Sequence, residues 1–151
     1  MMRIRGGRWR PAGRPPREIG FESSDMGTSD LAAVLVLEDE FLIALDLKEA
    51  LLDAGVAKVM LAGSVTEALS LVEGTRFTAA LLDVNVAGVR SYGVAEALQK
   101  DGIPFAFLTG YSEDELPATF AGTPVVHKPF SWDDIGRVAK KLGVCSPKNP
   151  I

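Results

Sequence analysis

Val34-Leu35-Val36-Leu37-Glu38-Asp39 decides the architecture, because four consecutive apolar residues run directly into two acids. Strict alternation would mark a strand with one wet face; an unbroken apolar run of this length marks a strand buried on both faces. The device recurs along the chain. Phe77 to Leu82 is a second such run ending at Asp83, Pro104 to Leu108 leads into Thr109, and Thr123 to His127 leads into Lys128-Pro129. Lys58 to Ala62 reads as one more strand, second in chain order.

Helical patterns fill the intervals. Phe41, Leu42, Leu45, Leu47, Ala50, Leu51 and Leu52 recur at helical spacing until Gly55, with Asp39 helping to start that helix. Ser64 and Glu67 form a Ser-x-x-Glu capping box for a second helix that closes near Gly74. A glycine-containing loop after Asp83 leads to a third, near Val94–Lys100. Ser112 and Glu115 predict a fourth start, but Pro117 removes a backbone donor and crowds the preceding turn, so the segment 112–122 is expected to be short, irregular or mobile. Ser131 with Asp134 caps the last helix, which runs to about Leu142. Strands alternating with helices predict an α/β fold: a doubly wound, five-stranded parallel sheet with right-handed crossovers.

Length and composition suit one soluble globular domain: 151 residues, 47% apolar and 24% charged. A chain of this size needs no disulfide or metal to fold. Its single cysteine, Cys145, allows no intrachain disulfide and points to a reducing, cytoplasmic compartment. No apolar run reaches the ~18 residues of a membrane span. Residues 1–30 are rich in Arg, Gly, Pro and Ser and read as a disordered basic leader; residues 31–143 form the domain, and 144–151 a C-terminal tail. Arg3, Arg5, Arg8, Arg10, Arg14 and Arg17 give residues 1–25 a net charge of +3, whereas the remainder carries −7. An acidic body disfavours nucleic acid as the main partner.

In open parallel sheets the ligand site lies beyond the carboxyl ends of the strands. There the sequence places Glu38-Asp39, Asp83, Thr109 and Lys128-Pro129, contributed by four separate segments. Three converging carboxylates repel one another and call for a cation. With oxygen donors and neither His nor Cys beside them, Mg²⁺ is the natural choice, with Mn²⁺ as an alternative. An aspartate in that setting can act as a nucleophile toward phosphorus and form an acyl phosphate, while Lys128 and the Thr109 hydroxyl hold phosphoryl oxygens.

The segments Val36-Leu37-Glu38-Asp39-Glu40, Leu81-Leu82-Asp83, Thr109-Gly110-Tyr111 and Lys128-Pro129-Phe130 resemble the CheY-like receiver domains of two-component response regulators, over about residues 32–143. Each motif alone is weak; all four, in order and each at a strand terminus, are specific. The resemblance implies a (βα)5 flavodoxin-like fold of strand order 2-1-3-4-5. It implies that Asp83 accepts phosphate from a sensor histidine kinase or histidine phosphotransfer protein, switching the binding of a downstream protein. Asp39, Asp83 and the backbone carbonyl of Asn85 would hold the metal, with Glu38 acting through water. Lys128 would pair with the phosphoryl group, and the Lys128–Pro129 bond would be cis. Thr109 would drive the switch, and the side chains of Asn85 and Tyr111 would modulate dephosphorylation. Phe105-Ala106-Phe107-Leu108-Thr109-Gly110-Tyr111 is further similar to the Phe-Ala-Thr-Gly-x-Tyr (FAT GUY) receivers, typically single-domain regulators, although Leu108 and the spacing of Tyr111 depart from that pattern.

Other departures bear on the switch. Val125 stands where many receivers carry a rotating aromatic, so Tyr111 is the candidate substitute; Ala87 replaces a common proline in the loop after Asp83. A stand-alone signalling switch, monomeric or weakly dimeric, is therefore expected rather than an enzyme with a separate substrate. Haloacid-dehalogenase-type phosphatases share the aspartate, Mg²⁺, Thr and Lys, but their second aspartate is replaced here by Asn85. A phosphorylation-independent pseudo-receiver is a third reading, opposed by the complete set of chemical groups. No Gly-x-x-x-x-Gly-Lys motif suggests a nucleotide enzyme. His127 alternates away from Lys128 along the strand, which favours a structural or exposed role.

Overall fold

The computed structural model of the protein describes residues 32–110 and 116–145. The basic leader, Tyr111, the Ser112–Glu115 capping box and residues 146–151 lie outside the described residues. In chain order the elements are β1 (Ala33–Leu37), α1 (Phe41–Asp53), β2 (Lys58–Ala62), α2 (Val65–Gly74), β3 (Ala79–Asp83), β4 (Asn85–Val86), β5 (Val89–Arg90), α3 (Tyr92–Lys100), β6 (Phe105–Thr109), a 3₁₀ turn (Ala118–Phe120), β7 (Val125–His127) and α4 (Trp132–Lys141). Five strands form one parallel sheet of order β2-β1-β3-β6-β7; β4 and β5 are a separate antiparallel hairpin. Counting only the sheet strands, the order is the expected 2-1-3-4-5.

The apolar runs are buried on both faces because successive side chains point to opposite sides. Val34, Val36, Leu81, Leu108 and Val126 pack toward Leu47, Leu51, Ile135 and Val138 of α1 and α4. Leu35, Leu37, Leu82, Phe105 and Phe107 pack toward Ala68, Val94 and Leu98 of α2 and α3. Each fully buried Leu or Phe contributes roughly 1.5–3 kcal/mol by leaving water. Register is tight, with Val36 opposite Leu81, Leu82 opposite Phe107 and Leu108 opposite Val126. A slip of one residue would exchange the two faces.

Three helices stop in the same way. In α1 the N–H of Gly55 donates to Leu52 O and that of Val56 to Leu51 O; α3 repeats this with Gly102 and Ile103, and α4 with Gly143 and Val144. These are Schellman motifs, and they need a residue with positive φ, supplied by Gly55 (103°), Gly102 (72°) and Gly143 (80°). The motif also turns the following apolar residue back onto the core. Val144 is therefore buried and the Cys145 thiol lies 3.0 Å from Ala54 O.

Several local expectations are revised. Asp39 does not cap α1: the N-cap is Glu40, with no side-chain cap bond, and it is Glu38 Oε2 that accepts from the Glu40 N–H at 3.1 Å. Phe41 and Leu42 are 67% and 78% exposed; Ala44, Leu47, Ala50 and Leu51 form the buried stripe, while the first turn overhangs the sheet edge. At α2, Ser64 Oγ accepts from Glu67 N, but the Glu67 carboxylate reaches the N–H of Gly63, one residue earlier than a full box requires. The box at α4 is complete, with Ser131 and Asp134 exchanging both bonds.

Among the described residues, the connection between β6 and β7 holds no α-helix. Pro117 sits at the N-cap of the 3₁₀ turn, where its missing N–H is not needed and its carbonyl accepts from Phe120 N. Phe120 fills the space under this turn, its ring centroid 5.4 Å from Phe107, 5.7 Å from Tyr92 and 6.0 Å from Phe105.

Candidate functional site

Backbone hydrogen bonds continue past the strand ends and fix the residues that follow. Glu38 N donates to Ala62 O, Val84 N to Leu108 O and Lys128 N to Thr109 O, at 3.0, 3.0 and 2.8 Å. Ser91 N donates to Val84 O at 3.0 Å and closes the hairpin loop behind Asp83. Residues from β1, β3, β6 and β7 are thereby delivered to one edge.

Glu38, Asp83 and Thr109 are buried there, at 2%, 6% and 6% exposure, while Asp39 is exposed. Lys128 Nζ lies 2.8 Å from Glu38 Oε1 and donates to Asp83 Oδ2 at 3.0 Å, so one ammonium answers two carboxylates. Burial pushes the Glu38 carboxyl above its ordinary range, and the charge of Asp83 adds to this; bonds from Lys128 and the Glu40 N–H only partly oppose it. Burial also works against the Lys128 ammonium, but Glu38 and Asp83 outweigh it and hold that group above its usual value. The Lys128–Pro129 peptide bond is cis.

Glu38, Asp39 and Asp83 each offer one carboxylate oxygen within 4.8 Å of the others. Oxygens on opposite sides of a Mg²⁺ ion stand about 4.2 Å apart, given metal–oxygen distances near 2.1 Å. Oxygens gathered within this span, all of them hard donors, fit a divalent cation held directly by some of them and through water by others. Around these groups is an open cavity of about 880 Å³, lined also by Glu40, Asn85, Arg90, Tyr92, Thr109 and Gly110. A second cavity of about 740 Å³, between β7 and α4, contains none of the strand-end acids.

The structure thus brings together Glu38, Asp39, Asp83, Asn85, Thr109 and Lys128; Tyr111 is outside the described residues. His127 is exposed. Sequence reasoning missed Arg90 and Tyr92. The signal for Arg90 was the Asn85–Arg90 hairpin: Ala87 and Gly88 both have positive φ, the signature of a two-residue type I′ turn that sets Arg90 opposite Asn85.

This fold and this edge are shared with known proteins. The chain belongs to the CheY-like receiver domains of response regulators. It is similar to SdrG from Sphingomonas melonis Fr1, with 40% identity over 74% of this chain and 96% of that one and a TM-score of 0.66. The BeF₃-activated form of SdrG matches at 40% identity, covering 76% and 98% of the two chains, with a TM-score of 0.65. TrrA from Thermotoga maritima, solved with Mg²⁺–BeF, is 28% identical over 74% of this chain and 99% of that one, with a TM-score of 0.65. No family model and no curated protein matches the chain. Receiver domains are signalling switches of two-component systems, and among the described residues no helix is long and apolar enough to cross a membrane.

Proposed function

We propose that this chain is a response-regulator receiver in which Asp83 accepts a phosphoryl group from a histidine kinase or histidine phosphotransfer protein. The observation that carries this reading is the pair of buried acids Glu38 and Asp83, with the half-buried Lys128 within 3.0 Å of both. Two converging acids cost too much to bury at a strand edge without a use for them.

Asp39, Asp83 and the Asn85 carbonyl would hold Mg²⁺, with Glu38 acting through water, and the ion would neutralise charge gathering on the transferring group. Asp83 attacks phosphorus in line, and the bond to the donor nitrogen or oxygen breaks. Lys128 then exchanges part of its contact with Asp83 for a phosphoryl oxygen. Thr109, at the end of β6, supplies a hydroxyl to another oxygen, and this movement links the site to the segment before β7. The Asn85 side chain, on the cavity lining, would modulate the lifetime of the acyl phosphate, and the family resemblance gives Tyr111 the same role. The product is a changed surface for a protein partner in the cytoplasm, not a released metabolite. The forms in which SdrG and TrrA were solved, BeF₃-activated and bound to Mg²⁺–BeF, support the same chemistry here.

Amide resonances test the reading. Addition of Mg²⁺ and BeF₃⁻ should shift Asp83, Val84, Thr109, Gly110 and Lys128 in the wild type and leave Asp83→Asn unmoved. Equal shifts in both proteins would refute the assignment of Asp83, and no shift in either would favour a pseudo-receiver.

A further inference from the structure

We propose that Arg90 is a positioning residue for the phosphodonor, drawing the phosphoryl dianion of a small acyl phosphate into the cavity before transfer. The inference rests on Asp83 being the acceptor and assigns a role that the strand-end residues do not fill.

The argument is electrostatic. Four carboxylates, those of Glu38, Asp39, Glu40 and Asp83, line the cavity, against two cations, Lys128 and Arg90. Lys128 is already committed to Glu38 and Asp83 at 2.8 and 3.0 Å. The Arg90 side chain has no ion pair or hydrogen bond among the described residues, and it is exposed. Without Arg90 the lining carries three more negative than positive charges, so an approaching dianion meets a rim that a single divalent ion still leaves net negative. A guanidinium at that rim supplies the missing attraction, and its planar fork matches two phosphoryl oxygens at once.

Placement supports this role. Arg90 lies on β5 directly opposite Asn85, two residues beyond Asp83. The turn between them holds Ala87 at φ 51°, a left-handed conformation that costs a non-glycine residue about 1 kcal/mol. The hairpin is retained despite that cost, and it keeps Arg90 on the cavity. In the transfer itself an Asp83 oxygen bonds to phosphorus, the phosphorus–oxygen bond to the acyl group breaks, and a free carboxylate leaves. Arg90 forms no covalent bond and moves no proton.

The test uses the full chain with Mg²⁺ and two donors, acetyl phosphate and the less negative phosphoramidate, following the adduct by intact mass. Arg90→Gln should lower the second-order rate with acetyl phosphate about tenfold at low ionic strength. The deficit should shrink toward twofold in ~0.5 M salt, where screening acts over only a few ångströms. Phosphoramidate should be less affected, and Arg90→Lys should recover most of the rate with acetyl phosphate. A wild-type rate for Arg90→Gln at low salt would overturn the proposal, as would an equal, salt-independent loss with both donors, which marks a merely structural effect. A phosphate adduct on Asp83→Asn would instead remove the acceptor assignment beneath it.

Discussion

On the faces of the sheet, Val36, Leu81, Leu82 and Leu108 are sealed under helices among other apolar side chains. One or two residues further along the same strands, at the carboxyl edge, Glu38, Asp83 and Thr109 are almost as deeply buried, and a single lysine answers both acids. The faces follow the rule that apolar surface leaves water; the edge breaks it. The difference teaches that stability and reactivity are separated here by about one residue of strand, and that the edge draws its order from the faces.

That separation can be broken from the face side first. Phe120→Ala removes the ring that contacts Phe105, Phe107 and Tyr92, and should lower stability by about 3–5 kcal/mol in chemical denaturation. Below the melting transition the folded fraction should still acquire phosphate on Asp83. Lys128→Ala tests the edge. It should slow adduct formation about 100-fold, because it removes the charge facing the phosphoryl group, while the fold survives.

Two smaller effects sharpen the contrast. Ser131→Ala takes away one half of the α4 capping box and should cost about 1 kcal/mol with no change in phosphorylation rate. Its partner Asp134 is held below the usual carboxylate range, first by the bond from the Ser131 N–H. A folded value below the unfolded one stabilises above the unfolded value and is lost as pH falls through the folded one. The deficit of Asp134→Asn in thermal melts should therefore fade in strong acid. Glu38 has the opposite sign: its folded value is raised, so its ionised form opposes folding once pH rises through that value. By this linkage alone, Glu38→Gln should raise metal-free stability near neutral pH, and the gain should vanish at acid pH, where the native carboxyl is itself protonated. For the same reason, Mg²⁺ affinity of the wild type should weaken as pH falls, starting above the ordinary carboxylate range.

Much of this was legible in the sequence because the decisive signals are local. Unbroken apolar runs announce strands covered on both faces, and acids directly after them mark the edge. Gly55-Val56, Gly102-Ile103 and Gly143-Val144 each encode a helix stop and the residue that seals it, although only the structure reveals that Val144 thereby belongs to the core. Convergence at the strand ends was legible, but which side chains pair there was not. The Glu38–Lys128 ion pair joins residues from β1 and the end of β7, and no spacing rule links them. Pro117 announces a short, irregular segment, but that it begins a 3₁₀ turn roofed over an aromatic cluster is a tertiary outcome. Phe41 shares the spacing of the buried stripe yet overhangs the sheet, because periodicity does not say where the partner surface ends.

The most direct test of Asp83 as acceptor is intact mass after incubation with Mg²⁺ and acetyl phosphate, comparing wild type with Asp83→Asn. The expected result is one phosphoryl adduct on the wild type, absent from the variant and absent from both proteins in EDTA. A phosphoryl adduct on Asp83→Asn equal to that on the wild type would contradict it.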